Sequence, residues 1–309
     1  MIRNRISLML LPIALALAVG CNRAAGSQPT AKVESDSTSQ SKSQPTPAQF
    51  PERKQLIDEF FEADRLSRYG YEVRKLTKKV EIEDPDGQGH MKSKLIDVSY
   101  SVIKRHGKVM AEFEGPYFGM GSFTRFAFFD FLRNGSEQLI ISTIVFRGGR
   151  HWVISLQPEF RVLFDSADFQ VGREDVYVID LDNDGIYEIS LEATAFYGMQ
   201  EKMYIGEIPL PEIIFKYDPK QQKYLPANAL FLDYSMRGLD DELRRLSNER
   251  NYLSNRLRIL LLYIYAGKEK EGWAFFDDTY RLADKEEMKS RIQSVLNDDP
   301  LYKYLRESK

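Results

Sequence analysis

Between Tyr71 and Tyr234 the sequence is a succession of short runs of β-branched and aromatic residues, and this pattern constrains the fold more than any other feature. Turn residues such as Asp84-Pro85-Asp86-Gly87 and Asp218-Pro219-Lys220 separate the runs. Short runs bounded in this way are typical of β-strands joined by tight turns. We therefore expect a β-rich domain with strands at Ile96 to Lys104, Gln138 to Phe146, Trp152 to Leu156, Phe160 to Phe164, Val176 to Asp180 and Ile186 to Glu192.

Helical periodicity flanks this region on both sides. After Pro51, apolar residues recur at three- and four-residue spacing, which predicts a short N-terminal helix that ends at about Arg68. From Leu239 to Ile264 leucines recur in the same way and stop before Gly267, which predicts one long helix with a glycine C-cap. We expect an α+β protein, with a leading helix and a β-rich domain over residues 50–236 and an all-α helical module over residues 237–309.

The leucine seam of the helical module has two interpretations. A long seam is a feature of coiled-coil dimers, in which it would be an oligomerisation element. An antiparallel hairpin packed on the helices that follow is favoured, because the apolar side chains of Trp273, Phe275 and Phe276 also need a packing partner.

The first 20 residues have the features of an export signal. Basic Arg3 and Arg5 precede an apolar run from Ile6 to Val19 that is short for a membrane-spanning helix. The run ends in Val19-Gly20-Cys21, which resembles the lipobox of bacterial lipoproteins, where the cysteine is acylated and becomes the mature N-terminus. The resemblance implies a signal peptide over residues 1–20, lipidation at Cys21 and attachment to a membrane. A plain secretory signal with an incidental cysteine is the alternative.

The composition of residues 21–49 is that of a disordered tether, rich in Ser, Thr, Gln, Pro and Ala and without aromatic residues. By similarity to lipoprotein sorting signals, Asn22 indicates the outer membrane if the cell is Gram-negative. Cys21 is the only cysteine, so the exported chain has no disulfide bonds. The net charge of −3 gives no basic footprint for nucleic acid.

The acidic loop from Asp180 to Glu188 is the strongest functional motif in the sequence. Carboxylates at alternate positions, a following glycine and a backbone carbonyl can converge on one hard cation, for which calcium is the expected ion. The glycine, Gly185, permits the positive φ of a tight turn. The alternative is an acidic β-turn in which the carboxylates only cap backbone N–H groups. The predicted metal ligands are Asp180, Asp182, Asp184, the carbonyl of Ile186, and Glu188.

The same spacing occurs fifty residues earlier with most of the acids replaced. Asp130 matches Asp180 and Gly135 matches Gly185, whereas Asn134 replaces an aspartate. We interpret the pair as an internal repeat with one metal-competent loop and one degenerate loop that closes by hydrogen bonds, formed by Asp130, Asn134 and Gly135.

The two loops resemble the FG-GAP and VCBS repeats of integrin-type β-propellers, in which an aromatic-glycine segment precedes a calcium loop between two strands. Phe118-Gly119 precedes Asp130, and Phe169 precedes Asp180. The resemblance implies blade-type antiparallel sheets, a structural calcium ion and an extracytoplasmic binding role. A propeller needs four to eight blades. A degenerate β-propeller-like domain and a smaller β-sheet domain are therefore both open.

The sequence shows no recognisable catalytic constellation. His90, His106 and His151 are neither spaced as metal ligands nor placed beside a nucleophile motif. The leading hypothesis is a lipid-anchored, non-catalytic, calcium-stabilised protein that binds an unknown envelope protein or glycan. An envelope hydrolase, acting on glycans, with a structural calcium site is the alternative.

Overall fold

The computed structural model describes residues 50–56, 64–85, 91–115, 122–145, 148–173, 175–199 and 201–308. The predicted signal peptide, tether, lipidation site Cys21, His90 and the Phe118-Gly119 segment lie outside these residues. Within them, no helix combines the length and apolar character needed to cross a membrane.

The described chain is β-rich, as predicted, and its strands form three open antiparallel sheets. The sheet orders are β2-β3-β4-β5, then β6-β7-β8-β9, then β1-β10-β11-β12-β13. The strands are β1 (Lys54–Gln55), β2 (Arg65–Arg68), β3 (Tyr71–Pro85), β4 (Met91–Arg105), β5 (Lys108–Glu114), β6 (Phe123–Phe129), β7 (Gln138–Val145), β8 (Gly148–Ser155), β9 (Arg161–Asp165), β10 (Tyr177–Ile179), β11 (Glu188–Glu192), β12 (Glu212–Asp218) and β13 (Lys223–Pro226).

Contacts divide the chain into two units. Residues 82–94 belong to one of them, in which Met91 is exposed. Residues 50–81 and 95–309 form the other unit, which contains both large apolar cores and the acidic loop.

The β6–β9 sheet is covered on both faces, which explains why strand β7 is buried along its whole length. Side chains alternate between the faces of a strand. Leu139 and Ile141 pack in a core with residues of β3, β4 and β5, whereas Ile140 packs in a core with β10, β11 and the C-terminal helices. The middle sheet therefore connects the two cores.

The C-terminal part is helical, as predicted, but the prediction of one long helix from Leu239 to Ile264 is wrong. Arg245–Ser247 and Glu249–Asn251 form 3-10 turns between the second and third helices. Asn248 is extended, and its side chain accepts a hydrogen bond from the N–H of Arg250, which starts a new turn. The helices are α1 (Leu232–Ser235), α2 (Leu239–Arg244), α3 (Tyr252–Tyr265), α4 (Glu269–Thr279), α5 (Lys285–Asp298) and α6 (Pro300–Glu307).

Helix α3 ends at the predicted glycine cap. Gly267 has φ +79°, and its N–H donates to the carbonyl of Ile264 at 3.0 Å. Leu257, Leu260 and Ile264 of α3 are buried in the core that also contains the strands β10 to β13. The buried part of the leucine seam therefore packs within the chain.

The prediction of an N-terminal helix is wrong at both ends of the segment, which form strands. Lys54 pairs with Val178 at the edge of β10, and Arg68 pairs with Tyr71 in the β2–β3 hairpin. The segment between them, residues 57–63, lies outside the described residues. A distant strand partner fixes Lys54 and a local hairpin fixes Arg68, and both override the helical spacing of the apolar residues.

Candidate functional site: an acidic loop that holds a lysine

The acidic loop joins β10 to β11, which pair next to it at Ile179 and Glu188. Asn183 (φ +57°) and Gly185 (φ +86°) both adopt the left-handed conformation that reverses the chain within so few residues. Asn183 tolerates this conformation better than most non-glycine residues do. The predicted turn geometry of the loop is therefore present.

Two of the acids use one carboxylate oxygen each to hold the loop. Glu188, which is fully buried, accepts the N–H of Leu181 on Oε2 at 2.8 Å. Asp184 accepts the N–H of Ile186 on Oδ1 at 2.8 Å. The second oxygen of each carboxylate remains available to a cation. The carbonyl of Ile186 stays a predicted ligand.

The ammonium group of Lys216 lies among these second oxygens. Its Nζ is 2.7 Å from Oδ2 of Asp182, 2.7 Å from Oδ2 of Asp184 and 3.2 Å from Oε1 of Glu188. Burial by itself lowers the pKa of Lys216, but the hydrogen bonds that its ammonium group donates to Asp182 and Asp184 outweigh burial and raise it. Lys216 is therefore charged at every physiological pH.

Asp180 is the predicted ligand that Lys216 does not contact. Its Oδ1 atom is buried and has no hydrogen-bond partner among the described residues. One oxygen each from Asp180, Asp182 and Glu188 lie within 4.8 Å of one another. Three carboxylate oxygens this close together are a donor set that fits a hard divalent cation. The residues present therefore fit the calcium ion that the resemblance implies.

Burial raises the pKa of Glu188, and the N–H of Leu181 and the Lys216 ammonium offset part of this effect. In Asp184, which is more exposed, burial also acts to raise the pKa, but the hydrogen bond from Lys216 prevails and lowers it. A nearby positive charge therefore lowers the free-energy cost of keeping both carboxylates ionised in their partly buried positions.

The loop between β6 and β7 has the register of the acidic loop. Phe129 pairs with Gln138 in the position where Ile179 pairs with Glu188. Gly135 adopts φ +77° in the position of the left-handed glycine. The fifty-residue offset read from the sequence is thus also an offset in strand pairing.

Hydrogen bonds close this second loop. Asp130 accepts the N–H of Asn134 at 3.2 Å and that of Gly135 at 3.1 Å. Gln138 accepts the N–H of Phe131 at 2.9 Å, in the position where Glu188 accepts a backbone N–H. Both oxygens of Asp130 are therefore used by the backbone, in contrast to those of Asp180.

No protein-family model, curated protein or solved structure matches this chain. The lipoprotein signal and the FG-GAP and VCBS resemblance therefore stay predictions from sequence motifs, and the interpretation of the site depends on its own geometry.

The structure also contains a polar cavity of about 290 Å³ that the sequence did not predict. Glu192 of β11 and Glu212 of β12 line it and are directly paired across the two strands. Arg173 contacts Glu192 at 3.0 Å, and Arg53 contacts Glu212 at 2.7 Å. Only the strand register brings these residues together, so no linear motif could have indicated them.

The two carboxyl groups of the cavity have opposite pKa shifts. Burial raises the pKa of Glu192, and Arg173 offsets only part of this shift. Burial acts in the same direction on Glu212, but Arg237, Ser190 and Arg53 prevail and lower its pKa.

His151 is fully buried and has a structural environment. Its Nδ1 lies 2.9 Å from Oγ of Ser142, and its Nε2 lies 2.7 Å from the carbonyl oxygen of Arg173. Burial, with a smaller contribution from Arg125, lowers the pKa of His151 to about 4. The ring is neutral, so Nε2–H donates to Arg173 and Ser142 donates to Nδ1. Ser142 is itself fully buried and cannot reach a substrate.

Proposed function

We propose that the protein is a lipid-anchored, extracytoplasmic, non-catalytic binding or scaffold protein of the bacterial envelope, stabilised by calcium. Its partner would be an envelope protein or glycan. The geometry that supports this function best is the clustering of Asp180, Asp182 and Glu188 at the β10–β11 turn, where one oxygen of each lies within 4.8 Å of the others. Hard-cation loops of this type commonly stabilise extracellular domains.

The proposed calcium ligands are the side chains of Asp180, Asp182, Asp184 and Glu188 with the carbonyl of Ile186. A bound ion would supply positive charge to the free carboxylate oxygens and would tie β10 to β11. Because the unfolded chain does not preserve the site, binding would stabilise the folded state by mass action.

We further propose that the three sheets correspond to propeller-type blades. The orders β2 to β5 and β6 to β9 follow the chain without a crossover, as a blade does, and so does β10 to β13, to which the two-residue strand β1 adds at the β10 edge. The repeated loop connects β6 to β7 in one of these sheets and β10 to β11 in another. Three such sheets would form a partial propeller.

Replacement of Cys21 with serine should release the protein from the membrane. A serine hydroxyl cannot replace the thiol that is acylated, and a lipid anchor contributes about 0.8 kcal/mol for each buried CH₂ group. We expect the wild-type protein in the membrane fraction after a high-salt wash and the Cys21→Ser protein in the soluble fraction. A Ser27→Ala variant in the tether, which leaves the lipobox intact, is the control. Membrane association that is unchanged by Cys21→Ser would refute lipidation.

The alternative function, an envelope hydrolase acting on glycans, is supported by the cavity that contains Glu192 and Glu212. Two carboxyl groups with pKa values shifted apart are the usual acid and base of glycoside hydrolysis. However, Glu212 already accepts hydrogen bonds from Arg53, Arg237 and Ser190, as a structural carboxylate does. The binding role is therefore ranked first. Glycan hydrolysis by the purified protein that is lost in Glu192→Gln would reverse this order.

A further inference from the structure

Lys216 reaches the acidic loop because of the strand register. Phe215 of β12 pairs with Ile189 of β11, so the next position places Lys216 opposite Glu188. Its side chain is 24% exposed. We propose that Lys216 is a tethered competitor for the cation of the acidic loop, so that a divalent ion binds only by displacing the lysine ammonium group. This inference rests on the proposed calcium site and concerns its regulation.

The contacts support competition because both cations require the same oxygens. The Lys216 ammonium uses one oxygen each of Asp182, Asp184 and Glu188. Calcium binds carboxylate oxygens at about 2.3 to 2.6 Å. An ion on these oxygens would lie within a few ångströms of the ammonium nitrogen, where two positive charges repel each other strongly.

The second loop gives an independent argument from the same chain. There Gln138 replaces the buried glutamate, and Leu139 pairs with Ile154. The next position places Ser155 opposite Gln138, where the acidic loop has Lys216 opposite Glu188. The loop without the acid cluster thus also lacks the lysine, as expected if the lysine is present to neutralise the acids.

Displacement of the lysine is structurally inexpensive. A lysine side chain is a flexible four-carbon stem with a strongly hydrated charge. From its partly exposed position, Lys216 can move its ammonium group into water while β12 stays in place. At low calcium concentration the Lys216 ammonium group therefore neutralises the loop, and at high calcium concentration the ion takes its place.

The test is calcium titration, by calorimetry, of the full-length protein in detergent as wild type, Lys216→Met and Lys220→Met. Methionine keeps most of the length of lysine without its charge. Lys220 is exposed in the β12–β13 turn and controls for net charge. We expect Lys216→Met to bind calcium at least about tenfold more tightly than wild type, and Lys220→Met to bind like wild type. In EDTA, Lys216→Met should melt below wild type, and calcium should remove most of this difference.

Two results separate this inference from the proposed calcium site. If wild type binds calcium and Lys216→Met binds it equally or less tightly, the competition is overturned and the calcium site stands. If calcium binds Lys216→Met and not wild type, the competition is supported and the calcium-stabilised state of the natural protein is overturned. Absence of binding to either protein overturns both.

Discussion

Replacement of Gly149 with alanine should destabilise the protein by about 3 kcal/mol, because the new methyl group has no space. A Cβ atom on Gly149 would lie 2.3 Å from the carbonyl oxygen of Arg173 and 3.1 Å from Nε2 of His151. The carbonyl belongs to the backbone and cannot move without breaking its hydrogen bond with His151. Chemical denaturation should show the loss, and the melting temperature should fall by about 6 to 12 °C.

The neighbouring Gly148 is the matched control. Among the residues that the structure describes, a Cβ atom there would meet Cγ2 of Val145 alone, at 3.5 Å, which is an ordinary contact. We expect Gly148→Ala to change the free energy of unfolding by less than about 1 kcal/mol. If Gly149→Ala were as stable as Gly148→Ala, the close packing of β8 against the 172–173 backbone would be wrong.

The buried His151 should make the protein sensitive to acid. The pKa of His151 is about 4 in the folded state and ordinarily 6.5. The folded pKa is depressed, so its contribution to stability is complete above about pH 6.5 and is lost as the pH falls towards 4. The loss amounts to about 3 kcal/mol. It is measured as the free energy of unfolding between pH 7 and pH 4.

Other groups titrate in the same range, so the contribution of His151 is isolated by comparison. His151→Gln should be less stable than wild type at pH 7. Between pH 7 and pH 4 its free energy of unfolding should decrease by about 3 kcal/mol less than that of wild type. His106→Gln, at an exposed position in the β4–β5 turn, is the matched histidine-to-glutamine control. Equal pH dependence in His151→Gln and wild type would contradict the neutral buried ring.

Local patterns in the sequence predicted most of the β fold and the acidic loop. The strands from β7 to β11 match their predicted runs within a few residues, because alternating burial and turn residues are local features. The acids of the loop and its glycine are close in sequence, so the turn at Gly185 and the clustering of Asp180, Asp182 and Glu188 were also predictable. Gly267 ends α3 for a local reason as well.

Most of the errors and omissions arise from long-range pairing. The 50–68 segment has helical spacing, but Lys54 pairs with Val178 far along the chain, and Arg68 pairs with Tyr71 in a local hairpin. Lys216 is far from the acidic loop in sequence, and only the β11–β12 register places it among the carboxylates. Glu192 and Glu212 are brought together by the same register. A single sequence specifies periodicity but does not specify which strands become neighbours.

The most direct test of the proposed cation site is the melting temperature of the purified full-length protein in EDTA and in 10 mM calcium. If the dissociation constant is about 1 mM, calcium should add about 1.4 kcal/mol, or about 3 to 6 °C. Asp182→Ala should abolish the increase, and Asp130→Ala in the second loop should retain it. A wild-type melting temperature that does not change with calcium would contradict a calcium-stabilised fold.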